Sequence, residues 1–199
     1  MSAFRRVMRN IMAHQLPGEI MSTTFVEGSD RHVRGLKAED EYASHMREQG
    51  WTVSPSNAME NRRDHVDFFL EKDGVRMRVD VKACKRVLGQ FRDDLLWIET
   101  DAEWGLSWLW GKVVTHIAFQ NFDGTFLTVP IDILQELAKT TYKNANTVTT
   151  FIPALLANRY KFALRRAAKP GQRTYTRERV ILMSTKDICD LMLRAGLST

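Results

Sequence analysis

The feature that most constrains the fold is short: Asp73-Gly74, flanked on both sides by residues that alternate between apolar and polar. A two-residue Asp-Gly link supplies the positive φ angles a tight hairpin turn needs, so residues 66–71 and 75–82 are expected to be antiparallel strands. With Lys72 opposite Val75, the register follows by counting. Glu71 faces Arg76, a favourable pair, and Asp67 falls opposite Asp80, with Lys82 and His65 on the same face. The other face carries Val66, Phe68 and Leu70 against Val81, Val79 and Met77. A slip of one residue would bury acids and expose the apolar set, so the pattern fixes the register.

Two carboxylates directly across a strand pair, at a Cβ spacing of about 5 Å, repel one another. A divalent cation bound by hard oxygen ligands would offset that repulsion. Neighbouring arginines, or a sheet edge facing water, would do so as well. Asp80-Val81-Lys82 is the one acid-x-lysine triplet in the chain. Such a triplet arises readily by chance; its register opposite Asp67 is what gives it weight.

Residues 36–49 read as a helix stopped by Gly50. At about 100° per residue, Glu39 shares a face with Tyr42, Ala43 and Met46, whereas Glu41 falls on the solvated side. A carboxylate on an apolar stripe is costly without a role or a partner. The alternative for Glu39 is a first-turn acid favoured by the helix dipole.

The remaining pattern gives a strand at 51–53, a polar turn at 54–61, and a strand at 95–99 leading into a tryptophan-rich loop ending at Gly111. A second hairpin, 113–120 with 125–129, closes around Asn121-Phe122-Asp123-Gly124. A helix is expected at 131–140. A longer one at 151–168 would have Leu156, Tyr160, Ala163, Leu164 and Ala167 on one face and arginines opposite, ended by Lys169-Pro170-Gly171. A strand at 179–183 and a helix from Thr185 follow. The expected fold class is mixed α/β with a small central sheet. It divides into an arm at 1–34, a core at 35–140, and an extension at 141–199 packed on the core as a single domain.

A chain of 199 residues can bury a core without disulfides or metals as staples. Its 44% hydrophobic and 27% charged content suits a soluble globular protein, and no apolar run approaches the roughly 18 residues of a membrane helix. Cys84 and Cys189 lie far apart without metal-ligand spacing; free thiols are expected, with one disulfide formally open. Residues 1–15 lack the continuous apolar stretch of a secretory signal, so a cytoplasmic location is expected. The net charge is +5, and the basic residues concentrate at Arg159, Lys161, Arg165, Arg166, Lys169, Arg173, Arg177 and Arg179, with Glu178 the only acid among them. That run is either a solvated helix face or a seat for a polyanion.

Gly35-Leu36-Lys37-Ala38-Glu39, His65-Val66-Asp67 and Val79-Asp80-Val81-Lys82, in this order, resemble the PD-(D/E)xK nuclease superfamily, in the branch of Holliday-junction resolvases and related phage-type endonucleases. The resemblance spans roughly residues 35–130. Val66 stands where the family commonly has Pro, Asp64 is a rival to Asp67, and the third-motif acid is Asp80 where Glu is commoner. It implies a restriction-endonuclease-like αβββαβ core. It also implies Mg²⁺, with Mn²⁺ as a substitute, held by Asp67, Asp80 and the Val81 carbonyl, and Glu39 acting through a water or a second ion. Lys82 would orient or deprotonate the attacking water. Gln90 is placed on the next helix as a supporting residue, His65 beside the site, and Lys85, Arg86 and Arg92 along the DNA with the basic segment at Arg159, Arg165, Arg166 and Lys169.

Trp97, Trp104, Trp108 and Trp110 are read as core or interface, or as a wedge that stacks on unpaired bases. The expected function is metal-dependent hydrolysis of DNA by an endonuclease, on branched or structured DNA, with a homodimer as the assembly. The alternatives are a catalytically inactive nucleic-acid-binding module of the same fold and a restriction-type, sequence-specific endonuclease.

Overall fold

The computed structural model describes residues 30–87, 90–91, 93–102, 105–142, 147–148, 162–168 and 175–197. In chain order the elements are α1 (Asp30–Glu48), β1 (Thr52–Pro55), α2 (Ala58–Asp64), β2 (Phe68–Lys72), β3 (Val75–Lys82), β4 (Arg86–Val87), β5 (Gln90–Phe91), β6 (Leu95–Ala102) and β7 (Gly105–Leu106). A 3₁₀ turn (Trp108–Trp110) precedes β8 (His116–Gln120) and β9 (Phe126–Pro130). Then come α3 (Ile131–Tyr142), β10 (Thr147–Val148), β11 (Phe162–Ala168), β12 (Tyr175–Ser184) and α4 (Thr185–Arg194).

The Asp73-Gly74 turn forms with φ of 49° and 80°, and β2 pairs with β3 from Lys72↔Val75 through Glu71↔Arg76 to Phe68↔Val79, the register counted from the sequence. The first sheet runs β1-β2-β3-β8-β9; every neighbouring pair is antiparallel except β3 and β8, which are parallel. Its apolar face takes α1: Ala38, Tyr42, Ala43 and Met46 pack on Phe68, Leu70, Val79 and Val81. The helix is already formed at Asp30, the first described residue and earlier than the sequence suggested, and it runs through Gly35, where a side chain would meet open space. It stops as expected at Gly50, whose φ of 83° suits glycine.

The second sheet runs β10-β11-β12-β6-β7. Leu96, Ile98, Ile181 and Met183 from this sheet join Ile117, Phe119 and Val129 from the first, Val66 from the segment leading into β2, Leu134 of α3 and Ile188 of α4 in one buried cluster. The molecule is therefore mixed α/β, with a mixed central sheet flanked by helices.

Three expectations need correction. The polar stretch 54–61 contains the start of α2 rather than only a turn. Asn57 caps it, its Oδ1 accepting from the Met59 and Glu60 amides at 3.0 and 2.9 Å while Glu60 accepts from the Asn57 amide at 3.0 Å. The stretch crossing from β3 to β8 holds no helix among the described residues; Gln90 lies in β5 and pairs with Val87. Residues 162–168 are a strand, not the end of a helix, with every residue paired to β12; residues 151–161 lie outside the described set. Ala, Leu and Arg favour helix by only tenths of a kcal/mol each, less than a full ladder against a central strand supplies.

Cys84 and Cys189 are both free and half-buried, so Cys84 is less enclosed than a core thiol. Among the described residues no helix is long and apolar enough to cross a membrane.

Candidate active site

The hairpin register stops one residue short of the acidic pair. Phe68 pairs with Val79, yet the Asp67 amide also donates to the Val79 carbonyl at 2.8 Å, so two residues of one strand face one of the other. This is a bulge, and it turns Asp67 out of the regular pleat. Asp67 is thus not a ladder partner of Asp80, as counting had placed it. Its carboxyl nevertheless lies close enough to Asp80 for the two charges to act on one another.

The lead-in explains how. His65, exposed and in the left-handed region with φ of 54°, caps α2 by donating its amide to the Asn61 carbonyl at 3.0 Å. The chain then reverses, so Val66 drops fully into the core and Asp67 faces the site. Ser56 pins the return: its amide donates to the Asp67 carbonyl at 2.9 Å and its hydroxyl to the Val66 carbonyl. Asp67 Oδ1 accepts from Asn61 Nδ2 at 2.5 Å, and Oδ2 from the Val81 amide at 2.7 Å.

Asp80 and Lys82 project from β3 on the face away from α1. Asp80 is 4% exposed. Lys82 Nζ donates to Asp80 Oδ1 at 2.7 Å; Oδ2 lies 2.6 Å from the same nitrogen, but off the direction of a hydrogen bond, and this buried oxygen has no donor. Lys82 Nζ also sits 5.4 Å from the centre of the buried Trp108 ring. Glu39, half-buried on α1, is close enough to exchange electrostatic influence with Asp67 and Lys82. Asp67, Asp80 and Lys82 therefore meet at the end of β3, with Glu39 near enough for its charge to act on Asp67 and Lys82.

Too many carboxylates share one cation here. Burial pushes Asp67 up to about 7, with the Asp80 charge adding to the rise and the Val81 amide opposing it. Burial also raises Glu39 to about 7, reinforced by Asp67 and countered by Lys82. Asp80 is raised by burial despite Lys82 beside it. For Lys82, burial acts downward, but the Asp80, Asp67 and Glu99 carboxylates outweigh it, so the ammonium form is favoured.

Other expected residues fall less centrally. Val81 offers its amide to Asp67. The rival Asp64 is held by Arg63 at 2.6 Å. Lys85 is exposed, 3.7 Å from Glu99 and 5.6 Å from the Trp97 ring centre. Arg86 lies on β4 and Arg165 and Arg166 on β11, whereas Arg92, Arg159, Lys169 and Trp104 are outside the described residues. Glu41 is not simply solvated: its Oε2 accepts from Gln120 Nε2 at 2.6 Å. Trp108 is 5% exposed and belongs to the core, and Trp110 donates to the Thr100 carbonyl, so neither presents a free wedge.

Two neighbours were not anticipated. Asn61 holds Asp67, and an Asn57-x-x-Glu60 capping pattern could have revealed the helix that carries it. Glu99 on β6 influences Asp80, Lys82 and His65; no local pattern brings β6 there.

Comparison with protein-family models, with curated proteins and with solved structures finds no match. Among the described residues, no three His, Cys, Asp or Glu side chains close on a common point as a ready-made metal cage. Mg²⁺ does not require one, since it keeps several waters and commonly takes only one or two carboxylates. The buried Asp80 Oδ2, ion-paired to Lys82 but without a hydrogen bond, and the Asp67 carboxyl are the hard oxygens present.

Proposed function

We propose that the protein is a metal-dependent phosphodiester hydrolase that cuts DNA internally. The observation that supports the reading is the meeting of Asp67, Asp80 and Lys82 at the end of β3, with Glu39 within electrostatic reach, so that carboxylates outnumber the one ammonium. The order β1-β2-β3 followed by a parallel β8, with α1 on one face, is compatible with a restriction-endonuclease-like core; the strand-built crossing between β3 and β8 is its departure.

Asp67 and Asp80 would hold Mg²⁺ or Mn²⁺, with the Val81 carbonyl as a further oxygen donor and Glu39 acting through water. The ion would supply Lewis-acid stabilisation of charge developing on phosphate, and a more acidic water. Lys82, whose ammonium form is favoured, donates hydrogen bonds to the phosphate oxygens rather than taking a proton. Glu39, with its carboxyl near 7, is suited to receive the proton of the attacking water.

The test is incubation with plasmid, linear duplex, single-stranded and four-way-junction DNA, and with RNA, in Mg²⁺, Mn²⁺ or EDTA. Cleavage of DNA is expected only with the metals. Lys82→Ala and Asp80→Asn should each lose on the order of 10²–10³-fold in rate while still binding DNA. Undiminished cleavage in EDTA, or wild-type turnover by Lys82→Ala, would overturn the assignment.

A further inference from the structure

We infer that Asn61 is a positioning residue for the Asp67 carboxylate, and that α2 exists in this chain to place it; the inference rests on the metal-site reading of Asp67. Asp67 leads into β2 at a bulge, where the ladder no longer dictates its direction. Side-chain geometry at such a point must be set by something other than sheet pairing. Two donors do this, one on each oxygen: Asn61 Nδ2 on Oδ1 at 2.5 Å and the Val81 amide on Oδ2 at 2.7 Å. A carboxylate pinned at both oxygens cannot rotate about its last bond, and each oxygen still has a lone pair for another partner.

The Val81 amide belongs to β3 and is fixed by the sheet. Asn61 is fixed by a separate device, the seven-residue α2, which is closed at both ends. Asn57 and Glu60 cap its start reciprocally, and the left-handed His65 ends it by donating its amide to the backbone carbonyl of Asn61 itself. The backbone of Asn61 is thus held independently of its side chain. Ser56 ties the entry of this segment to the Val66 and Asp67 carbonyls at its exit. The loop between β1 and β2 is a brace that reaches the acidic cluster through the Asn61–Asp67 hydrogen bond.

Groups that orient a ligating side chain commonly contribute 10–100-fold in metal affinity. Replacing an exposed amide away from the core leaves stability nearly unchanged. The experiment is Mn²⁺ titration without nucleic acid, followed by calorimetry and by electron paramagnetic resonance of the free ion, on wild type, Asn61→Ala and Asn61→Asp, with thermal melts of each without metal. Asn61→Ala should bind Mn²⁺ about 10-fold more weakly with its melting temperature unchanged. Asn61→Asp has nearly the same shape but no donor, and should bind no better than Asn61→Ala at pH 8. Mn²⁺ affinity at the wild-type level in Asn61→Ala, or restored by Asn61→Asp, would overturn the positioning role while leaving the metal site standing. Absence of Mn²⁺ binding by wild type would overturn both.

Discussion

Successive residues of β3 point to two faces that are almost equally shielded from water, yet the two are built on opposite energetics. Toward α1, Val79 is fully buried and Val81 is 7% exposed, packed among Tyr42, Ala43, Phe68 and Leu70. On the reverse face Asp80 is 4% exposed and bound to Lys82. Burying apolar area stabilises the fold by roughly 25 cal/mol per Å². Burying an ion pair rarely does, because the desolvation of two charges cancels most of their attraction. One strand thus holds the sheet together with one set of side chains and strains it with the other. A chain selected only for stability would not keep the second set.

The sharpest way to break that comparison is to truncate each face in turn. Leu70→Ala, which opens a cavity on the α1 side, should cost about 2–5 kcal/mol in chemical denaturation, while the molecules that remain folded keep their specific activity. Replacing Asp80 with Leu together with Lys82→Met should do the reverse. The proposed cleavage should be lost, and stability should be unchanged or raised by about 1–4 kcal/mol. A double variant that unfolds as readily as Leu70→Ala would show that the ionic face carries the fold too.

A smaller, graded effect is expected from pH. Asp67 and Glu39 hold protons up to about 7 in the folded protein, against usual values of 3.8 and 4.5. Between those limits the folded state binds protons that the unfolded chain has released, so stability falls as pH rises through the window, and the loss is complete above about 7. Each unit of separation is worth about 1.4 kcal/mol for the more enclosed Asp67, and less for the half-exposed Glu39, which solvent screens. Without metal, the melting temperature of wild type relative to an Asp67→Asn variant should therefore decline from pH 5 to pH 8. Mn²⁺ affinity should move the other way, rising with pH through 7 as protons cease to compete for the same oxygens. A wild-type-minus-variant difference that is flat with pH would refute the crowding of carboxylates.

The same contrast explains what was legible in the sequence. The apolar face and the turn are local: Asp73-Gly74 and the alternation of Phe68, Leu70, Val79 and Val81 set the register without reference to the rest of the chain. Glu39 could be placed because its helix and its stripe are also local. The bulge at Asp67 could not, since it depends on how α2 delivers the chain, although the capping pattern at Asn57 and Glu60 was there to be read. Glu99 reaches the site because β6 packs against the first sheet, a contact between segments far apart in sequence. At 162–168 helical periodicity misled, because Arg, Leu and Ala satisfy either pattern and the pairing partner lies beyond Pro170.

The smallest effect comes from a second ion pair on the same hairpin, which isolates burial from chemistry. Glu71 and Arg76 face one another across β2 and β3 with Oε2 and Nε 3.4 Å apart, and both are exposed. Water screens them, and holding two long side chains in one geometry has an entropic cost, so a double-mutant cycle with alanine should give only about 0.2–1 kcal/mol. In 1 M salt, where the screening length falls to about 3 Å, the coupling should vanish. The pair Lys82–Asp80, 2.6 Å apart with Asp80 buried and Lys82 only partly exposed, should keep most of its coupling in the same salt. Equal salt sensitivity in the two cycles would mean that water reaches Asp80, and that burial does not shield the pair.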